Sequence, residues 1–435
     1  MKVRVVVAAL GAIGALVHPG AAQPAAPGAA APPEPIHGLR LEDAIQLAMT
    51  RNERAQIAQL NVVIAEAGVA RARSAFLPVL SANGNDTLHW RETPLDTAQG
   101  TLRVDQPLID PTAWPLYAQA QHELSGQRAQ SVDDRRQLAF DAAKAFIAVL
   151  LDDQVVQAAQ RKLDTARADL ADTEAQAKAQ LVSSNDVTRA RIGLGSSERE
   201  LASDQGALDA AYLQLALLVK APVAPGLVVP AELLDAGIRA PPPSDALVAQ
   251  SLARRPDLAA RKDAALAAHD FAREPRMRWL PSLGLTGQLT ASSRAAGNDH
   301  NVTGTAALTA SWTIFDAGTL ADTRSRDAQA AIADLTTDSL IRTIDVQVRS
   351  AAVALVSAQQ ALAAAQGAMD AARKSASETA VLYHQQLAKA IELLDANEQR
   401  FAAEVNFAEA QFSVASAYLA LRQAMGLDPL GELLP

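Results

Sequence analysis

Between Ile341 and Ala372 the apolar positions fall at Ile341, Ile344, Val348, Ala351, Leu355, Ala358, Leu362, Ala365, Met369 and Ala372, in alternating steps of three and four. That spacing is the narrow a/d seam of a coiled coil rather than the wider stripe of a globular helix. The helical pattern extends from about Gly318 to Leu387, with no proline and only Gly367 inside it. At about 1.5 Å per residue it predicts a rod on the order of 100 Å long. A compact domain has no use for such a rod, so the chain is expected to span a distance.

Read in order, the pattern predicts a first helix from Leu41 to about Ala75, ended by Phe76-Leu77-Pro78. The period then drops to two. Leu80, Ala82, Leu88 and Trp90 alternate with Ser81, Asn83, Asn85, Thr87 and His89, and Leu102, Val104 and Leu108 alternate with Thr101, Arg103 and Asp105. This is a hairpin with strands at about 79–91 and 100–109. Helix resumes at Pro111, breaks near Val182 to Asn185, and continues to about Lys220. Residues 221–244 are proline-rich and read as a connector.

The whole order then returns. Phe76-Leu77-Pro78-Val79-Leu80 reappears as Trp279-Leu280-Pro281-Ser282-Leu283, 203 positions on. Pro107-Leu108-Ile109-Asp110 reappears as Thr313-Ile314-Phe315-Asp316, 206 positions on, and that offset holds through Gln154/Gln360, Gln180-Leu181/Gln386-Leu387 and Ala211-Tyr212-Leu213/Ala417-Tyr418-Leu419. A constant offset through tyrosines, glutamines and strands marks an internal duplication. The expected organisation is a signal peptide (1–22), a Pro/Ala-rich tether (23–38), a first repeat (39–220), the connector (221–244), a second repeat (245–428) with strands at about 282–293 and 302–315, and a tail (429–435).

Each repeat reads short helix, hairpin, long helix, short helix. Short helices of about 35 residues reach about 50 Å and long ones of about 70 reach about 105 Å, so two short ones end to end match one long one. The strands lie at one end of that height and the breaks near Ser183 and Ala388 at the other. Apolar-out, polar-in strands with Trp90 and Trp312 near their ends fit a transmembrane barrel with a wet lumen. A soluble half-buried hairpin has the same period; the export signal and the lack of another core for these strands favour the membrane. Four strands cannot close a barrel, and open edges are not tolerated in lipid, so several chains must contribute.

Composition sharpens this picture. Aromatics are 4% and charged residues 20%, so stability is expected from close helix contact and assembly rather than a thick core. Lys2 and Arg4, the apolar run Val5 to Val17 and Gly20-Ala21-Ala22 form a secretory signal, cut after Ala22. No later stretch has the twenty or so apolar residues of a membrane helix. The net charge of −9 is spread with both signs interleaved, which gives no footprint for nucleic acid. Cysteine is absent, which excludes disulfides, cysteine metal sites and a lipid-bearing cysteine. The seven histidines have no metal-ligand spacing, and Gly193-Leu194-Gly195-Ser196 fits neither a nucleophile elbow nor a phosphate loop. Catalysis, cofactors and metals are not expected.

Several stretches together resemble the TolC family of outer-membrane efflux proteins: Leu41-Glu42-Asp43-Ala44 with Arg51-Asn52, the Leu77-Pro78 exit into a strand, Arg255-Pro256-Asp257-Leu258, and Trp312-Thr313-Ile314-Phe315-Asp316-Ala317-Gly318. The likeness runs from about Leu39 to Pro429. It implies a mainly α fold with a membrane β-barrel portion: a homotrimer with a twelve-stranded barrel in outer-membrane lipid and a long α-helical periplasmic tunnel. It also implies a passive exit duct of a tripartite efflux pump or type I secretion system, docked to a periplasmic adaptor and an inner-membrane RND or ABC pump. The alternative is a secreted coiled-coil scaffold with no channel. By the same resemblance, Asp186, Glu392 and Asp395 take the acidic positions around the periplasmic aperture, although plain helix-start acids would look alike. Gln180, Leu181, Ser183, Gln386, Leu387 and Lys389 take the tip turns and adaptor contacts. Gln180 and Gln386 stand where the family has glycine, and Lys389 stands where it has a small polar residue.

Overall fold

The computed structural model describes residues 35–87, 97–294, 300–385 and 387–431. The expected signal peptide, most of the tether, Trp90 and Gln386 lie outside them. The first repeat consists of α1 (Leu41–Arg51), α2 (Glu53–Ser74), β1 (Val79–Thr87), β2 (Thr97–Ile109), α3 (Ala113–Lys178) and α4 (Ser184–Val219). In the connector, α5 (Ala231–Ile238) folds where the prolines suggested only a link. The second repeat consists of α6 (Ser244–Arg254), α7 (Pro256–Met277), β3 (Ser282–Arg294), β4 (His300–Ser311), α8 (Ala317–His384) and α9 (Ala390–Ala424). The long rods have 66 and 68 residues, and both begin at the strand end of the molecule.

The expected single helix from Leu41 to Ala75 is in fact two, broken at Asn52. The buried Asn52 side chain accepts from the Arg54 N–H at 3.0 Å, which caps α2. Its Nδ2 donates to Leu218 O, 3.1 Å away at the end of α4. The second repeat breaks at the equivalent residue, Arg255, which precedes Pro256 in the first turn of α7. Arg255 Nη1 donates to Ala424 O at 3.2 Å, and Ala424 lies 206 positions after Leu218. Each repeat thus clasps the end of its last helix to the break between its first two.

Composition argued against a thick core, yet one exists at the waist. Phe140, Phe146, Leu215, Phe412 and Leu419, from α3, α4 and α9, are buried together with Leu39 and Leu233. Three of the eight phenylalanines are in it, and Tyr212 and Tyr418 pack against it. Residues 36–39 run beside the connector, with the Ile36 N–H donating to Pro222 O and the Val228 N–H to Leu39 O. The α8 seam packs as its spacing predicts: Ile344, Val348 and Leu355 are buried against Leu247 of α6 and Val414 and Leu421 of α9. The four strands form one antiparallel sheet, ordered β1-β2-β3-β4. β4 ends at Ser311, short of the expected 315.

Candidate functional site

The register of the sheet sorts its residues into two opposed faces. Asn83, Thr101, Thr290 and Thr303 stand in one row across all four strands, and Ser81, Arg103, Gln288 and Thr305 form the next. On this face Arg103 pairs with Asp105 at 2.7 Å, and the Thr286 hydroxyl donates to Asp105 at 2.8 Å. The opposite face carries Ala82, Leu102, Leu289 and Gly304 in one row and Leu80, Val104, Gly287 and Ala306 in the next. Successive strand residues point to opposite sides, so one face is predominantly polar and the other predominantly apolar, with Val79 and Ala307 among the exceptions on the first and Asp86 and Gln106 among those on the second. In the single chain the apolar face stays open: Leu80 is 67% exposed and Leu308 65%. Trp312, also exposed, donates its indole N–H to Trp279 O at 2.9 Å.

At the opposite end of the rods are the two tips. α3 ends in a Schellman turn, with the Leu181 N–H donating to Gln176 O at 2.9 Å. This geometry puts Gln180 at φ 59°, a left-handed conformation that costs a side-chain-bearing residue about 1–2 kcal/mol. Ser183 then caps α4 reciprocally: its backbone N–H donates to Asp186 Oδ2 at 3.0 Å, and the Asp186 N–H donates to Ser183 Oγ at 3.3 Å. The Ser183 hydroxyl first, and its N–H second, hold the Asp186 carboxyl below the usual aspartate value. A depressed acid stabilises the fold above its unfolded pKa and loses that contribution as pH falls through its folded one. This cap is therefore intact at neutral pH.

At the second tip the backbone bond recurs and the cap residues differ. The Leu387 N–H donates to Leu382 O at 2.8 Å, and the Lys389 N–H donates to Glu392 Oε2 at 3.2 Å. A lysine side chain has no acceptor, so only half of the reciprocal cap forms. Glu392 is the counterpart of Asp186, and Asp395, one turn further on, accepts from Gln399 at 2.8 Å. Asp186 and Glu392 therefore stand in the first turns of their tip helices, and Asp395 stands in the second turn of its own.

Between the two helical hairpins, just above the tips, lies a cavity of about 220 Å³ lined by Asp169, Asp172, Asp186, Tyr383, Asn397 and Arg400 among others. Asp186 reaches it, whereas Glu392 and Asp395 do not line it. Polar ties cross this interface in place of an apolar seam. Lys162 bridges Glu200 and Glu398 at 2.7 and 2.8 Å, Asn397 donates to Asp169 at 3.3 Å, and the Tyr383 hydroxyl donates to Gln176 at 3.1 Å. Burial works against the Lys162 charge, but the two glutamates outweigh it and hold the group above the usual lysine value. Sequence reading missed this ladder, although Lys162, Asp169 and Gln176 recur at heptad steps on α3.

Among the described residues, no three His, Asp or Glu side chains gather in a metal-holding group, and no helix is long and apolar enough to cross a membrane.

Residues 247–427 match the family model described as outer membrane efflux protein. Among solved structures, CusC, studied for folding and transmembrane channel formation, is 18% identical with a TM-score of 0.78, covering 89% of this chain and 92% of that one. The Campylobacter jejuni CmeC outer membrane channel is 16% identical with a TM-score of 0.76, over 89% of this chain and 85% of that one. The open-state Neisseria gonorrhoeae MtrE outer membrane channel is 21% identical with a TM-score of 0.76, over 89% of both chains. At these identities the likeness establishes the fold. No curated protein matches the chain.

Proposed function

We propose that this chain, whose residues 247–427 belong to the outer membrane efflux protein family, acts as a passive exit duct through the outer membrane and periplasm. One observation carries the reading: the sheet has one predominantly apolar face, one predominantly polar face and two bare edges. A surface of that kind is satisfied by lipid on one side, water on the other and more strands at both edges. Three copies in a ring would bring twelve strands, and the rods would continue the wall as a tunnel. The duct supplies no energy and performs no chemistry; a periplasmic adaptor and an inner-membrane RND or ABC pump drive the cargo.

In this reading Asp186, Glu392 and Asp395 circle the narrow periplasmic aperture, where clustered carboxylates attract cations. The turns of Gln180, Leu181, Ser183, Gln386, Leu387 and Lys389 face the adaptor. The lumenal Arg103–Asp105 pair sits on the polar face, where water reaches it. The test is planar-bilayer conductance of the purified protein. Wild type should form channels that cations block, and joint Glu392→Ala and Asp395→Ala substitution should raise the current and weaken the block. Absence of any channel, with the protein washing off membranes in salt, would favour the scaffold instead.

A further inference from the structure

The polar face of the sheet is nearly free of charge. Its rows are mostly serine, threonine, asparagine and glutamine, and among its described positions only Arg103, Asp105 and, at the loop end of β3, Arg294 are ionisable. Arg103 and Asp105 are two residues apart on β2, so both stand on one side of the strand, about 7 Å apart along it. Val79, where β1 begins, lies directly opposite Asp105, which puts the pair at the end of the sheet that joins the rods.

The pair is held in one direction. Arg103 Nε donates to both carboxylate oxygens of Asp105, at 2.9 and 2.7 Å. Thr286, opposite Asp105 on β3, donates its hydroxyl to Asp105 Oδ1 at 2.8 Å and fixes the acid from the other hairpin. A side chain that reaches a partner two residues along its own strand runs along the sheet rather than out from it. No other ionisable residue shares either row of the register.

The duplication shows the same place built without charge. By the 206 offset Arg103 becomes Thr309 and Asp105 becomes Ser311 on β4. Thr309 stands opposite Gly284 as Arg103 stands opposite Ser81, so the strands pair equally well around two hydroxyls. The ions are not needed for the ladder. With side chains 48% and 37% exposed, the pair also adds little to stability. What it fixes is where charge lies.

We propose that Asp105 positions Arg103 against the wall and cancels its charge, which keeps the rod-side mouth of the barrel electrically neutral toward cargo. This rests on the reading of the polar face as a lumen, and it gives the barrel a determinant of charge selection separate from the acids at the tips. In a ring of three copies, loss of Asp105 frees three guanidinium groups at one height with no acid to answer them. A passage between low-dielectric walls focuses such a field, so anionic solutes are drawn in and cationic ones turned away. Loss of Arg103 leaves three carboxylates and reverses the preference. Loss of both restores neutrality.

The cysteine-free chain allows the local potential to be read chemically. A single Thr101→Cys, one row from Arg103 on the same face, is treated with a positively and a negatively charged methanethiosulfonate in the full-length protein, reconstituted in phosphatidylcholine liposomes. At about 10 mM salt, Asp105→Asn should raise the anionic-to-cationic rate ratio at least about threefold and Arg103→Gln should lower it by a similar factor, both effects fading at about 1 M. The double variant should return to the parent ratio, which a merely structural role for Asp105 would not produce. Should Asp105→Asn fail to assemble, the sign of the Arg103→Gln effect decides. An unmoved ratio in the assembled single variants, with Thr101→Cys still reactive, would overturn the proposal and leave the duct standing. If Leu102→Cys, on the opposite face, reacted as fast as Thr101→Cys, the lumen reading would fall and the proposal with it.

Discussion

The two clasps at the waist are the same device made from different residues. In the first repeat Asn52 holds Leu218 O, and the helix it secures ends at Lys220, which adopts φ 55°. In the second, Arg255 holds Ala424 O and also donates to Gln347 at 2.7 Å, and the corresponding position is Gly426 at φ 75°. Lysine tolerates the left-handed turn and gains an ion pair with Glu53. Gly426 has no such latitude, because an added Cβ would meet Arg255 Cγ at 2.9 Å, its Cα at 3.1 Å and its N at 3.2 Å. The backbone requirement is shared, and the size of the clasping side chain and its neighbours decides whether a Cβ fits beside it.

The comparison breaks most readily at Gly426. Gly426→Ala should destabilise the protein by about 2–4 kcal/mol, combining left-handed strain with overlap against backbone that cannot move aside. Thermal melting in detergent would read the effect. Asn52→Ala removes the α2 cap and leaves Leu218 O short of a donor, for a loss of about 1–2 kcal/mol by the same measurement. Lys220→Gly relieves strain but removes an exposed ion pair, so its net change should stay within about 0.5 kcal/mol. If Lys220→Gly cost as much as Gly426→Ala, the two sites would differ in something other than space.

Much of this architecture is legible in the sequence because it is periodic. The α8 seam declares itself at three-four spacing, the strands at period two and the duplication at a fixed offset. The helix break at Asn52 is not legible, since its reason is a carbonyl 166 residues away. The waist core escapes composition for a related reason: Phe140, Phe146 and Phe412 are scattered in sequence and meet only when α3 and α9 pack. At the tips the acids could be picked out, but not their setting. Asp186 is tied into a reciprocal cap with Ser183, and the neighbouring cavity owes as much to Asp169 and Asp172, which look like ordinary rod charges in the sequence.

The sheet's two bare edges and open apolar face bear on how the protein is made as well as on how it works. Under the proposed function, a newly exported chain would carry, before it finds lipid and its fellows, the features that template uncontrolled strand addition. The yield of such ducts would then be set by a race between insertion and aggregation. Periplasmic chaperoning should matter more to abundance than the finished wall's resistance to heat.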